Sequence, residues 1–475
     1  PTAEIADGRI IGTTTKIAGP TGSILVNKFL GIPFAAPPIG NLRFSPPHAP
    51  PKWIIRDAKE FENSCVQVFS PLDGKEFTEA VFNNPPPKKE SEDCLYINVF
   101  APKKAWTPMS PPYPVLYWMY GGGWKFGHAG HPWYDGSHFA ALEDVIVVSV
   151  NYRTNAFGFP IAPGVPLEGR NLGMLDQRAG LEWVEKNIHH FGGDKDKVTI
   201  FGESAGAFAT DSLITSYKPG AQRRFRAAIM ESGTYAYLRT PNCNNSNFEA
   251  WNLLAAGLGC PDNDDAAKFN CIKNERNDIQ IKDAQERNSN ITFQFACDEK
   301  TLVSNPRTRL EAGETADVPV MLGTNTQDGS VYSIGSGFDA SDYFNKFLPN
   351  NETLKQRVLD AYPLGQDGRN DEQLRLAQIH TDWFFHCPSV WYGETSAAKL
   401  RPTYRYLFNA TFTNTQAQYP RWDPYWQGAY HSSEIPIVFT TYNESVAPAE
   451  PTQRGLSDMM RKAWANFAKH PSQPP

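Results

Sequence analysis

Gly202-Glu-Ser-Ala-Gly206 sets a serine between two glycines at the spacing G-x-S-x-G. A serine hydroxyl attacks a carbonyl only when a base takes its proton and a third group orients that base. Val198-Thr-Ile-Phe201 before the motif is β-branched and aromatic, the pattern of a buried strand, and Ala207 to Ile214 after it reads as a helix. A strand that turns sharply into a helix through such a motif pushes the serine out at the tip of a sheet, above the positive helix end. Ser204 is therefore the expected nucleophile. An ordinary strand-to-helix turn would carry the same glycines, so the reading depends on partners elsewhere.

With such an elbow the partners follow in the order nucleophile, acid, histidine. The later histidines are His380, His386, His431 and His470. His380 and His386 fall in a helical stretch and His470 near the end, whereas His431 lies in a loop after the last strand, Thr403 to Phe408. His431 is the expected base. The acid should stand just beyond a strand, and Asp328 does so in Asn325-Thr-Gln-Asp-Gly329 after Val318 to Thr324. Asp-Gly is also a common turn, but the rival Asp382 sits in an expected helix. Gly121-Gly-Gly123 ends another strand, Val115 to Tyr120, and offers backbone N–H groups to a developing oxyanion. Trp124 after it either lines a substrate pocket or packs beneath the loop. His128, His131 and His138 have no carboxylate spaced with them, so they are expected on the solvent side rather than at a metal.

The elements that must position these groups alternate along the chain. Leu95 to Phe100, Val145 to Val150 and Phe225 to Met230 read as further strands, and Leu172 to Ile188 as an amphipathic helix. This alternation predicts an α/β fold with a large, mostly parallel sheet, in one domain spanning 1–475. A polar, mainly helical excursion is expected around 241–310 and a helical stretch around 341–399. Leu456 to Lys469 reads as a terminal helix. Gly31 to Pro47 is proline-rich and is expected as a surface loop.

Composition excludes several classes. The net charge of −6 carries no electrostatic footprint for nucleic acid. No apolar run approaches the length of a membrane span. None of the seven cysteines forms a C-x2-C pair, so no structural metal is expected, and no cofactor motif stands out. Sequons begin at Asn244, Asn290, Asn351, Asn409 and Asn443. Together with cysteines able to form disulfides, and with Pro1 read as a trimmed start, they predict a secreted glycoprotein.

The chain resembles the type-B carboxylesterase/lipase family of α/β-hydrolases. Phe191-Gly-Gly, four residues and then Val198 to Gly206 match its active-site signature, and Glu92-Asp-Cys-Leu-Tyr-Ile-Asn-Val99 its second. Gly31-Ile-Pro-Phe34, Asn151-Tyr-Arg153, Asp176-Gln-Arg178 and His431-Ser-Ser-Glu-Ile-Pro436 match as well. The resemblance implies Ser204 as nucleophile, His431 as base and Asp328 as acid. It further implies Gly122, Gly123 and Ala205 as oxyanion donors, and a buried polar network of Glu203, Ser232 and Glu434. It implies disulfides Cys65–Cys94 and Cys260–Cys271, leaving at most one pair among Cys243, Cys297 and Cys387. The family often has glutamate as the acid. Aspartate is a methylene shorter, so its loop must come closer to His431 or hold it more loosely. The expected activity is hydrolysis of small soluble esters through an acyl-enzyme. A true lipase or a sterol or feruloyl esterase is the alternative, and a non-catalytic binding relative a remote one. The Cys65–Cys94 loop is polar and proline-rich, which favours soluble esters over lipids. It also lacks a tryptophan, which argues against choline esters.

Overall fold

In the computed structural model the described residues are 1–69, 79, 82, 88–106, 111–237, 243, 245–293, 295–334, 340–347, 351–366, 368–416 and 428–475. Among the described residues, twelve strands form two sheets. The small sheet joins β1 (Thr2–Ile5), β2 (Gly8–Ile11) and β5 (Ile55–Asp57). The large sheet holds β3 (Thr13–Gly19), β4 (Gly22–Pro33), β6 (Tyr96–Pro102), β7 (Tyr113–Met119), β8 (Ile146–Val150), β9 (Gly193–Glu203), β10 (Ala227–Glu231), β11 (Val320–Asn325) and β12 (Thr403–Phe408). Its order is β12-β11-β10-β9-β7-β8-β6-β4-β3. From β8 through β12 every neighbouring pair is parallel; β6, β4 and β3 add on antiparallel.

The central strands are buried on both faces, which explains their continuous apolar runs. Helices cover the sheet, among them Leu172–Asn187, Ala205–Ser216 and Pro451–Lys469. The last presents Trp464, Ala465, Phe467 and Ala468 to the core. Between β10 and β11 the chain leaves the sheet as several helices, where Trp251, Leu254, Ile272 and Ile281 build a smaller apolar cluster. Among the described residues no helix is long and apolar enough to cross a membrane.

Gly31 to Pro47 departs from the expected surface loop. Gly31 to Pro33 complete β4, and Phe34, Ala35, Arg43 and Phe44 are buried. Arg43 pairs there with Glu92 and donates to the carbonyls of Lys273 and Arg276 at 2.7 and 2.6 Å. The prolines stiffen a segment that the excursion covers.

Disulfides join Cys65 to Cys94, Cys260 to Cys271 and Cys243 to Cys297, leaving Cys387 as an exposed thiol. Most of the Cys65–Cys94 loop, at 70–78, 80–81 and 83–87, lies outside the described residues, as does Asn244. The other four sequon asparagines, Asn290, Asn351, Asn409 and Asn443, are exposed.

Candidate functional site

Ser204 stands at the turn from β9 into the helix Ala205–Ser216 with φ 53° and ψ −121°, a strained backbone for a residue with a side chain. The turn is possible because its flanks are glycines. A Cβ on Gly206 would lie 1.9 Å from the Met119 carbonyl oxygen, and one on Gly202 2.4 Å from the same atom. β7 therefore packs directly under the elbow. The Ser204 amide donates to the Glu231 carbonyl at 2.9 Å, which ties the tip to the end of β10.

Beyond β7 the chain passes closely over Ser204. A Cβ on Gly121 would approach the Ser204 Cβ to 3.0 Å and a Glu203 carboxylate oxygen to 2.5 Å. Gly122 and Gly123 follow with φ of 109° and 58°, the left-handed side that glycine tolerates. Ala205 is the first residue of the helix, where backbone amides have no partner one turn back.

His431 is buried beside two carboxyl groups. Its Nδ1 lies 2.8 Å from Asp328 Oδ1, and its Nε2 lies 3.1 Å from Glu203 Oε1. Asp328 is fully buried and also accepts from the Ser232 hydroxyl and the Asn325 amide, each at 2.8 Å. The short aspartate reaches its histidine because the two loops are laced together. The Gln327 amide donates to the Ala429 carbonyl at 3.0 Å, and the Ala429 amide donates to Gln327 Oε1 at 2.8 Å. No hydrogen bond joins His431 Nε2 to the Ser204 hydroxyl. Such contacts are commonly loose in an unliganded site and tighten around a substrate.

Behind these groups lies a set of buried acids. Glu203 accepts from the Ser432 hydroxyl at 2.5 Å, and burial holds its carboxyl well above the usual range. Glu434 accepts from the Asn325 side chain and is raised by burial and then by the nearby Glu203. Glu231 accepts from Trp464 Nε1 at 2.8 Å and is pushed up to about 8 by burial. Of these contributors, Asn325, Ser432 and Glu231 escaped the sequence reading. The only signal for Glu231 and Asn325 was their position at the carboxyl ends of β10 and β11.

Ser204, Glu203, His431, Ser432 and Gly121 to Gly123 border one cavity of about 200 Å³. Its outer wall is aromatic, with Phe82, Phe126, Trp133, Tyr134 and Tyr332. Phe82, from the Cys65–Cys94 loop, stacks on Phe126 with centroids 6.4 Å apart. Trp124 stands outside this cavity, packed edge-on against Tyr152, Phe159 and Phe295. It supports the glycine loop from below.

The remaining histidines and the rival acid are engaged elsewhere. His380 Nδ1 lies 2.8 Å from the Tyr343 hydroxyl, and His386 Nδ1 lies 3.2 Å from Thr324 Oγ1. Asp382 accepts from Tyr362 and Gln378. His128 and His131 correct the expectation of solvent-side rings, since both are buried. His131 borders the cavity and takes the Trp133 amide on Nδ1 at 3.1 Å. Burial holds it well below the usual histidine range, so its ring is neutral. Aromatic neighbours Trp133 and Tyr134 replace the water that an exposed ring would have.

The carboxylesterase family model matches residues 1–474. The chain is 33% identical to a para-nitrobenzyl esterase of Bacillus subtilis over 473 residues, covering 97% of this chain and 88% of that protein. It is 33% identical to an acetylcholinesterase of Bungarus fasciatus over 496 residues, 97% of this chain and 79% of that one. Carboxylesterase 1C of Rattus norvegicus is 31% identical over 489 residues, 99% of this chain and 85% of its own.

Proposed function

Because this chain belongs to the carboxylesterase family, with its α/β-hydrolase fold, and is a serine-type carboxylic ester hydrolase, we propose that Ser204, His431 and Asp328 are its catalytic triad. The observation that carries this is the strained Ser204 elbow sharing one cavity with His431, whose Nδ1 is held 2.8 Å from a buried aspartate. Ser204 attacks the ester carbonyl as His431 Nε2 takes its proton. Amides of Gly122, Gly123 and Ala205 hold the oxyanion; one such donor is worth about 3–4 kcal/mol in a comparable site. His431 then protonates the leaving alcohol, and water releases the acid from the acyl-enzyme. Asp328 keeps the imidazole oriented and stabilises its charged form. Ser232 in turn holds Asp328, while Glu203 and Glu434 form the buried network behind it.

The small aromatic cavity supports short- to medium-chain soluble esters as substrates. Three disulfides and the exposed sequons support a single-domain, secreted glycoprotein. The deciding experiment is hydrolysis of p-nitrophenyl esters from acetate to palmitate, with Ser204→Ala as control. A maximum at short chains without interfacial activation is expected, and Ser204→Ala should abolish turnover. A maximum at palmitate with activation at the solubility limit would replace the substrate reading with a lipase. Turnover in Ser204→Ala above a tenth of wild type would remove the nucleophile assignment.

A further inference from the structure

A second cavity, about 480 Å³, lies between the helices that link β11 to β12 and the stretch between β10 and β11 that supplies Ala236 and Arg307, and it shares no lining residue with the one beside Ser204. It is more than twice as large, and its volume falls in the range of small-molecule pockets. Six aromatic rings line it: Tyr343, Phe344, Phe347, Tyr362, Trp383 and Trp391. Leu354 and Val358 extend the apolar wall along one face of the helix Glu352–Ala361. A stack of Tyr332, His380 and Phe384 separates it from the first cavity. Tyr332 borders the first, Tyr343 borders the second, and His380 touches both tyrosines.

Two charged side chains reach this apolar space, and they differ in what they have left to offer. Asp382 has both oxygens occupied, one by the Tyr362 hydroxyl at 2.8 Å and one by Gln378 Nε2 at 2.9 Å. Those bonds tie it into the wall. Arg307 sits over Trp391, its guanidinium carbon 4.1 Å from the ring centroid. Of its five donors, one makes a hydrogen bond among the described residues, a long one of 3.4 Å to the Ala236 carbonyl. Its Nε forms an ion pair with Oε1 of the half-exposed Glu311 at 3.6 Å, one turn along the same helix, and the terminal N–H groups face no carboxylate among the described residues. The cavity thus combines an aromatic interior with one under-used, planar cation that is suited to a carboxylate.

We propose that this cavity is a second binding site, for an amphiphilic monocarboxylate whose apolar tail lies among the rings and whose head pairs with Arg307. Acids of this class are what ester hydrolysis releases, but binding here is independent of the reading of Ser204. The charge preference follows from donor supply: an anion gains hydrogen bonds from the N–H groups that Arg307 has left, whereas the Asp382 charge is already compensated by Tyr362 and Gln378.

The test is calorimetric titration of the full chain with octanoate, octanol and octyltrimethylammonium. One saturable octanoate site is expected, weakened by about tenfold or more in Arg307→Gln and by a smaller factor in Arg307→Lys, which keeps the charge but not the planar fork. Val358→Trp should fill the cavity and abolish this site while leaving p-nitrophenyl acetate hydrolysis unchanged, which also reports that the variant is folded. Leu354→Trp, one turn earlier on the same helix, is the second filler should the first not fold. Octanoate bound at the Ser204 cavity would persist in both fillers and overturn the assignment. Tighter binding of octyltrimethylammonium than of octanoate, or no saturable octanoate binding, would overturn it equally.

Discussion

His431 and His380 are both buried, both late in the chain, and both pack on Tyr332, one edge-on at 5.5 Å and one stacked at 4.6 Å. Their Nδ1 atoms make bonds of equal length, 2.8 Å, to different partners. His431 meets the carboxylate of Asp328 and has Glu203 at its other nitrogen; His380 meets the phenol of Tyr343 within a cluster of aromatic rings. A carboxylate stabilises an imidazolium, so the first ring can take a proton during turnover. A tyrosine hydroxyl inside an apolar cluster gives no such compensation for buried charge. The same side chain meets a carboxylate in one place and a tyrosine hydroxyl a few ångströms away.

The largest expected effect separates the two rings directly. His431→Ala should lower kcat by about a million-fold, as loss of the base does in a comparable triad, while His380→Phe should keep kcat/KM within about tenfold. Equal losses, measured on p-nitrophenyl butyrate, would break the comparison. Asp328→Asn should cost about 10⁴-fold in kcat with little change in KM, because it removes the orienting charge and leaves the cavity intact. A loss below a hundredfold would mean that Glu203, not Asp328, supports the imidazolium.

The acids behind His431 yield a stability signature of their own. The Glu231 carboxyl, ordinarily near 4.5, is raised to about 8 in the folded protein by burial. Between these values the folded chain keeps a proton that the unfolded chain has lost. Its contribution is therefore complete below pH 4.5, falls as pH rises, and is gone above about 8, with a slope of up to ~1.4 kcal/mol per pH unit. Urea unfolding of wild type and Glu231→Gln at pH 5, 6.5 and 8 isolates this group. The wild type should lose stability relative to the variant across the series, and a difference that stays flat would show Glu231 ionised in the fold. The smallest effect is on the other side: His380→Phe should lower stability by about 1 kcal/mol through the lost Tyr343 hydrogen bond, read as a shift of the urea midpoint.

Much of the scaffold was legible because it rests on local signals. The strand before Gly202, the helix after Ser204 and the triple glycine after β7 each combine a hydrophobic period with punctuating glycines. His131 was misread because burial of a polar ring depends on what packs over it, here Trp133 and Tyr134, and no local pattern encodes that. Gly31 to Pro47 failed for the same reason: prolines report stiffness, and the excursion that covers Arg43 comes more than 200 residues later. The alternatives left open for Trp124 and for the aspartate's reach were likewise decided by distant partners, Phe295 for one and Ala429 for the other.

By itself the sequence determined the family and the strand-and-helix alternation, and it supplied the groups now proposed for ester chemistry. These follow from residue types at short, fixed spacings, where backbone geometry leaves few choices. Tertiary structure decided which histidine meets a carboxylate, how the short Asp328 reaches it, which cysteine stays unpaired, and where the aromatic walls of two separate cavities fall. Each of these depends on contacts between segments up to hundreds of residues apart, set by how the sheet brings its strand ends together.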